Sequence, residues 1–322
     1  MSTLMLFTAP KPFVDPHITM IQMNAIRSWV NLGDEVSIAL IGDEPGIAEA
    51  ATAAGVDYYP NVKKNASGTP LISSIFNLGR MASPAKLLAY VNADIILFKD
   101  FLETARMISA NHQSFLLVGQ RYDVSVTESL NFSGDSAAQF QTLVKKTGKL
   151  HPRGGSDYFI FPGKCFQEIP DFAIGRAGWD NWMMYKARLE GWPVIDATKS
   201  ITIVHQDHDY RHLPGGQSHY RLPETYENVR LAGGNRVILN LDDANYQIVD
   251  GKVVKRRFTL KRVMRELEIF PLLRLKSNFL ANLTFAVFHP FKAYAEFRQW
   301  LGKRLQGSND GNINHKKGTG GK

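Results

Sequence analysis

The stretch Lys86-Leu87-Leu88-Ala89-Tyr90-Val91-Asn92-Ala93-Asp94-Ile95-Ile96-Leu97-Phe98 decides how this chain folds. It opens as an apolar strand, meets an acid at Asp94, and continues apolar to Phe98. Strands that are apolar without alternation are buried on both faces. Toward the N-terminus, residues 3–8 read as a second such strand. It stops at Ala9-Pro10-Lys11-Pro12, where two prolines disfavour helix. Ile18, Ile21, Ala25, Ile26, Trp29 and Leu32 recur at helical spacing, so 17–32 reads as an amphipathic helix closed by Gly33. Val36–Ile41 is the next strand. Residues 46–54, behind Pro45, and 71–82 are the next helices. Toward the C-terminus, 99–110 reads as helix, 115–119 as strand and 136–147 as helix. Tyr158–Phe161 is a strand, 178–190 a helix, and Pro193–Asp196 and Ile201–His205 are short strands. Residues 206–234 are a long polar segment, and such loops are usually functional.

Strand and helix alternating every ~30 residues make crossover units. The expected fold is therefore α/β, a mixed, mostly parallel sheet with helices on both faces. Ligands of such sheets bind beyond the carboxyl ends of the strands. Three polar loops follow strand ends, at 8–15, 42–45 and 92–94, and chemistry is expected there.

The 322 residues carry a net charge of +8, but the charge is split. Residues 1–251 hold 22 Lys and Arg against 26 Asp and Glu, whereas residues 252–322 hold 16 against 4. An acidic body with a basic appendage describes the chain better than a uniformly basic nucleic-acid binder. Three segments are expected: a catalytic body at 1–251, a basic amphipathic helical extension at 252–305, and a disordered Gly-, Asn- and Lys-rich tail at 306–322. The extension interleaves Lys255, Arg256, Arg257, Lys261 and Arg262 with Phe279, Phe285, Phe288 and Trp300. Either it packs on the body, or it attaches to an anionic membrane surface. It contains no recognised nucleic-acid module. The single cysteine, Cys165, excludes an internal disulfide and fits a reducing compartment. Met1–Phe7 lacks the charge and length of a signal peptide, and no run of apolar residues is long enough to span a membrane. A cytoplasmic location is expected, or a peripheral one on the inner face of the plasma membrane.

Four constellations carry candidate chemistry. Asp94 ends a strand between apolar neighbours; it either holds a divalent cation against a diphosphate or simply finishes a turn. His151-Pro152-Arg153-Gly154-Gly155-Ser156-Asp157 pairs glycines, which allow close backbone approach, with two hydroxyl-binding side chains; it is otherwise an ordinary turn. Trp179-Asp180-Asn181-Trp182 opens a helix. Asp180 is either an N-terminal helix acid or a general base, and the indoles either pack or stack on sugar faces. His205-Gln206-Asp207-His208-Asp209-Tyr210-Arg211-His212 is rich in metal-ligating types. Here the strand Ile201–Val204 fixes the direction of His205. The chain lacks the signatures of P-loop hydrolases, Rossmann dehydrogenases, serine hydrolases and zincins.

In this order and spacing, these residues resemble a GT-A glycosyltransferase. Asn92-Ala93-Asp94 stands at that family's D-x-D position. Gly154-Gly155-Ser156-Asp157 resembles its glycine loop, Trp179-Asp180-Asn181 its acidic motif, and His205 its late metal-binding His. The resemblance covers residues 1–210 and departs from the pattern at Asn92, where an acid is usual, and at the Asp-Asn pair. It implies a GT-A-like sheet and transfer of a sugar from a nucleotide-diphosphate-sugar to a saccharide or lipid-linked acceptor, in envelope or extracellular polysaccharide synthesis. It also implies that Thr8, Ala9, Pro10, Asp43, Asn92 and Asp94 bind the donor. Asp94 and His205 hold Mn²⁺ or Mg²⁺. Gly154, Gly155, Ser156, Asp157, Trp179 and Trp182 bind the acceptor, and Asp180 is the base of an inverting reaction. Lys11 and Arg153 are further phosphate contacts. The rival functions are a nucleotidyltransferase making nucleotide-sugars and a non-catalytic saccharide-binding protein on the same fold. The first usually carries a Gly-rich loop after its first strand, and Thr8–Phe13 has Lys11 but no glycine.

Overall fold

The apolar strands of the sequence become the middle of a large sheet in the computed structural model, which describes residues 2–207 and 222–301. The chain forms β1 (Leu4–Thr8), α1 (Pro16–Val30), β2 (Val36–Ile41), α2 (Ile47–Ala54), β3 (Asp57–Tyr59), α3 (Ile72–Ala82) and β4 (Leu87–Val91). There follow β5 (Ile95–Leu97), α4 (Lys99–Asn111), β6 (Leu116–Val118), β7 (Tyr122–Val124), α5 (Ser136–Thr147), β8 (Lys149–Leu150) and β9 (Tyr158–Pro162). The rest of the body is α6 (Trp179–Leu189), β10 (Val194–Asp196), β11 (Ile203–Gln206), α7 (Pro223–Ala232), β12 (Tyr246–Val249) and β13 (Lys252–Lys255). The appendage holds α8 (Leu260–Leu273), α9 (Asn278–Phe288) and helical residues 290–301.

The large sheet runs β13-β12-β10-β6-β9-β4-β1-β2-β3. β1 pairs in parallel with β2 and β4, and β2 with β3, while β9 lies antiparallel between β4 and β6. The sheet is mixed and mostly parallel, as expected. The loops after β1, β2 and β4 therefore share one edge, and the start of antiparallel β9 meets them there. Period-two alternation covers both faces. Leu4, Leu6, Leu87, Ala89 and Val91 pack into one core with Trp29 and Phe101. Phe7 and Tyr90 face the other way, onto Phe76 and Trp179.

Gly79 of α3 lets that helix sit on Phe7. A Cβ there would lie 2.5–2.7 Å from the Phe7 ring, which is fully buried. Gly79→Ala is expected to cost about 1–3 kcal/mol by overpacking. A denaturant midpoint equal to that of the parent chain would contradict this packing.

Asn92-Ala93-Asp94 breaks the strand rather than extending it. β5 leaves the large sheet and joins a second one, β5-β11-β7-β8. Its alternation bridges two cores. Ile95 and Leu97 join the main one, whereas Ile96 packs with Phe98, Phe132, Val144 and Val204. The Trp29 indole donates to the Ile95 carbonyl at 2.8 Å and ties α1 to this strand.

Two expectations are corrected. Residues 252–255, placed in the helical extension, are the antiparallel partner of β12. The compact body accordingly runs to Arg257 and the second unit begins at Phe258. Within the polar segment 206–234, Pro223–Ala232 is helical. The tail 306–322 and residues 208–212 of the His-rich run lie outside the described residues.

The second unit is built on capped helices. Thr259 accepts from the Arg262 amide and Ser277 from the Leu280 amide. Glu268 joins the two helices, meeting Arg265 at 2.9 Å and His289 at 3.2 Å, and its carbonyl accepts from Thr284. Among the described residues, no helix is long and apolar enough to cross a membrane.

Candidate active site

The second sheet assembles the site at the carboxyl edge of the first. On β11, His205 lies opposite Ile95, the residue after Asp94, and opposite Asp123 on the other side. Register alone thus brings Asp94, His205 and Asp123 together. The imidazole Nε2 is 3.7 Å from Asp94 Oδ2; Nδ1 is 3.5 Å from Asp123 Oδ1 and 3.6 Å from Asp207 Oδ1. Gln206, fully buried, fixes the turn beneath them. Its side-chain amide donates to the Asp94 carbonyl at 3.1 Å and to the Ile21 carbonyl at 2.7 Å, and its oxygen accepts from Asn24.

Antiparallel β9 delivers the next acid. The Asn92 amide hydrogen bonds to the Asp157 carbonyl at 2.9 Å, and Asn92 Nδ2 donates to Asp157 Oδ1 at 3.0 Å. Asn92 therefore holds Asp157, a service an aspartate could not give without protonation. Arg121 donates to the same Asp157 oxygen at 2.7 Å and to Asp123 Oδ1 at 2.8 Å. Burial lowers the Arg121 pKa, but these two carboxylates outweigh it and hold the guanidinium above its ordinary range. Burial likewise pushes Asp123 up, but hydrogen bonds from His151, at 2.7 Å, and Arg121 leave it below the usual carboxylate range.

Asp180 stands in the first turn of α6, behind Gly178, whose φ of 110° only glycine adopts easily. Burial pushes its carboxyl up to about 6, against backbone hydrogen bonds from Asn181 and Gly178, and the charge of Asp157 adds to the rise. Burial pushes the Tyr90 hydroxyl well above its ordinary range, and the charges of Asp94, Asp157 and Asp180 add to the rise.

Other candidates divide. Thr8 Oγ1 and Ser156 Oγ are buried without a hydrogen-bond partner among the described residues, at the ends of β1 and before β9. Buried orphan hydroxyls are uncommon and point to an absent ligand or water. Ala9 and Pro10 lie in the loop after β1. There Gln22 clamps Lys11 by accepting from its amide at 2.7 Å and donating to its carbonyl at 3.0 Å. Burial pulls the Lys11 pKa down while the charge of Asp94 raises it, so the ammonium lies near that carboxylate. Gly154 and Gly155 have open space where a Cβ would stand and no positive φ, so the fold itself does not demand glycine there.

Two readings are corrected. Trp179 and Trp182 are each 6% exposed. Trp179 packs on Tyr90, Phe76 and Phe159, and Trp182 on Phe172, so neither offers a ring face to a sugar. Arg153 is spent on Asp196, on Asp242 at 2.7 Å and on Gln120 at 3.0 Å, so it ties the glycine loop to the body and does not await phosphate. Asp43 keeps its expected place in the loop after β2, half-exposed and paired with Lys64 at 2.5 Å, whose hydrogen bond holds it below the usual range. Sequence reasoning missed Arg121 and Asp123. Their one signal was a position just past a strand end.

A mostly parallel sheet, an acid in the break after β4, paired glycines before an antiparallel strand, and a late His beside the acid thus stand together in one mixed α/β fold. No family model and no curated protein matches the sequence. Among solved structures, it is similar to residues 1–349 of TarS from S. aureus in complex with UDP-GlcNAc. The identity is 15% and the TM-score 0.43, over 72% of this chain and 65% of that one, so the chain spans just under two thirds of that fragment. It is also similar to glucosyl-3-phosphoglycerate synthase from Mycobacterium tuberculosis in complex with Mg²⁺ and UDP, at 12% identity and TM-score 0.46, over 80% and 87%. A third is the mannosyltransferase PcManGT from Pyrobaculum calidifontis with GDP-Man and Mn²⁺, at 9% and 0.42, over 65% and 58%.

Proposed function

We propose that the chain is a glycosyltransferase. It moves a sugar from a nucleoside-diphosphate-sugar to a hydroxyl of a saccharide or lipid-linked acceptor, with inversion, in polysaccharide biosynthesis. One observation carries this reading: Asp94 and His205 face each other across 3.7 Å at the carboxyl edge of the parallel strands, with Asp157 held by Asn92 two residues before Asp94.

The donor set fits a hard divalent cation. Carboxylate oxygens and one imidazole suit Mn²⁺ or Mg²⁺, and the cluster carries more acids than cations. Asp94 and His205 would hold the ion. Bound there, it supplies charge neutralisation for the leaving diphosphate. The chain's own residues do the rest. Lys11, beside Asp94, adds a positive charge at the same edge. Thr8 and Ser156 offer their hydroxyls to the ligand. Asp157, held by Asn92 and Arg121, accepts from an acceptor hydroxyl. Asp180 takes the proton of the attacking hydroxyl, so that the new glycosidic bond forms as the bond to the diphosphate breaks. A thermal-shift panel of nucleotide-sugars with and without Mn²⁺ tests donor binding. One nucleotide-sugar is expected to raise Tm more with Mn²⁺ than without; a flat panel contradicts the reading.

The second unit supports attachment to an anionic membrane on the cytoplasmic side. Along α8, Leu260, Val263, Met264, Leu267 and Phe270 form one exposed stripe at helical spacing. Phe279, Leu283 and Val287 form another on α9. Lys and Arg flank both, a pattern that suits anionic lipid. The full chain is expected to co-sediment with anionic vesicles and not with neutral ones. The pair Leu267→Glu and Phe270→Glu is expected to weaken that binding about tenfold or more. Equal binding by parent and variant would remove the membrane role from this stripe.

A further inference from the structure

We propose that Asn24 and Gln206 are positioning residues for the cation site. They form a buried chain of side-chain amides that runs from the 128–130 segment, through α1, to the backbone of Asp94. This rests on the reading of Asp94 and His205 as cation ligands.

Both side chains are fully buried. Asn24 Oδ1 accepts from the Leu130 amide at 2.9 Å, and its Nδ2 donates to the Glu128 carbonyl at 3.0 Å and to Gln206 Oε1 at 3.1 Å. Gln206 Nε2 donates in turn to the Ile21 carbonyl at 2.7 Å and to the Asp94 carbonyl at 3.1 Å. A carboxamide has two N–H donors, so every donor of both side chains is used. The orientation of each amide is forced. The Leu130 N–H can only donate, while the carbonyls of Glu128, Ile21 and Asp94 can only accept. Nitrogen therefore faces the carbonyls in both side chains, and Asn24 is the donor to Gln206. Neither a carboxylate nor an apolar side chain completes this pattern at either position. Buried amides are costly unless bonded, and a closed set of bonds specifies one arrangement.

The strand beyond Asp94 is secured by other groups. Trp29 Nε1 donates to the Ile95 carbonyl at 2.8 Å, Ser28 Oγ accepts from the Leu97 amide at 3.0 Å, and the β11 ladder pairs with 95–97. The task left to the amide chain is the turn that carries the Asp94 carboxylate. The Gln206 backbone amide reaches the same Asp94 carbonyl at 3.4 Å, so losing the side-chain bond loosens the turn without detaching it. Two residues before Asn24, Gln22 clamps Lys11 from the same helix. α1 thus grips the loop after β1, the break after β4 and the 128–130 segment. Groups behind a metal ligand that fix its direction tune metal affinity.

The test is a double-mutant cycle on the full chain, read by Mn²⁺ titration with electron paramagnetic resonance and by melting temperature. Gln206→Met, close to the native shape but without donors, is expected to bind Mn²⁺ about tenfold more weakly. Asn24→Leu is expected to lose a smaller factor, because Gln206 keeps its own donors. The two act in series, so the double variant should lie within about twofold of Gln206→Met instead of showing the product of the losses. Gly79→Ala, which lowers stability by overpacking away from this chain of amides, is expected to keep the parent's Mn²⁺ affinity. One measurement needs no variant. In ¹³C,¹⁵N-labelled parent protein, the Asn24 and Gln206 side-chain N–H groups should exchange with ²H₂O at least about a hundredfold more slowly than those of exposed carboxamides. Parent-like Mn²⁺ affinity in Gln206→Met overturns the proposal, as do multiplicative losses in the double variant or fast exchange of either amide. A loss in Gly79→Ala as large as in Gln206→Met reduces the effect to stability alone and overturns it too. A parent that binds no Mn²⁺ overturns the cation reading itself, while amide exchange and the melting-temperature cycle still decide the Asn24–Gln206 chain.

Discussion

Asp180→Asn is expected to lower turnover by about 10²–10⁴-fold, the range of general-base catalysis, while donor affinity stays within about twofold. The separation follows from position. Asp180 sits on α6, reached through Asp157, whereas the donor side is built on β1, β4 and β11. The carboxyl is pushed up to about 6, so it is ionised at neutral pH yet basic enough to take a proton. In the parent, kcat/KM should fall tenfold per pH unit below about 6 as the base is protonated. The same shift has a stability sign. Its folded pKa lies above its unfolded value of 3.8, so the folded state holds an extra proton between 3.8 and about 6. Stability therefore declines as pH rises through that window and stays lower above it. The amide variant carries no such penalty. It should unfold no earlier than the parent at pH 7.5, with a gain of order 1–3 kcal/mol before any loss of hydrogen bonds. Full turnover in Asp180→Asn would remove the base assignment.

Asp94→Asn and His205→Gln are each expected to cost about 10²-fold or more in turnover at fixed Mn²⁺, with a matching loss of Mn²⁺ affinity. The anchor under Asp94 is its backbone carbonyl, which accepts from Gln206, so the amide substitution leaves the turn in place. At β11 the ladder to β5 and β7 is likewise a backbone structure. Loss of activity with the parent's melting temperature would therefore report on the site and not on the fold. Turnover and Mn²⁺ titration of both variants decide the matter. Unchanged activity in EDTA, together with active variants, would contradict a cation at this edge.

What was legible in the sequence was set by period. The β1, β2 and β4 strands read clearly because they are buried on both faces, and the helix expected at 17–32 because Ile18, Ile21, Ala25, Ile26 and Trp29 recur at helical spacing. Asp94, His205, Asp157 and Asp180 could be picked out because each stands at an element's end, where a fixed backbone aims a side chain outward. Asp123 could not. Its strand is three residues long, its partner β11 is far along the chain, and pairing of that kind leaves no local pattern. The Trp179–Trp182 pair shows the converse. An indole at a helix start fits core and sugar equally well, and only the contact with Tyr90 and Phe159 separates the two. At Asn92 the missing acid looked like a weakened D-x-D motif. The structure gives the amide a positive task, holding the carboxylate of Asp157.

The charge split persists in the fold. The acids that matter crowd one edge of the body, whose last residue is Arg257, while the basic surplus lies on a separate unit with exposed apolar stripes. Under the proposed function, chemistry belongs to the body and membrane placement to the second unit.

The most direct measurement is release of nucleoside diphosphate from a panel of nucleotide-sugars by the full chain with Mn²⁺, in parallel with Asp180→Asn and Asp94→Asn. One donor is expected to be consumed, slowly by hydrolysis and faster with a saccharide or lipid-linked acceptor, and both variants should fail. A donor that binds but is never consumed with any acceptor would make this a saccharide-binding protein on a transferase fold, and would contradict the account.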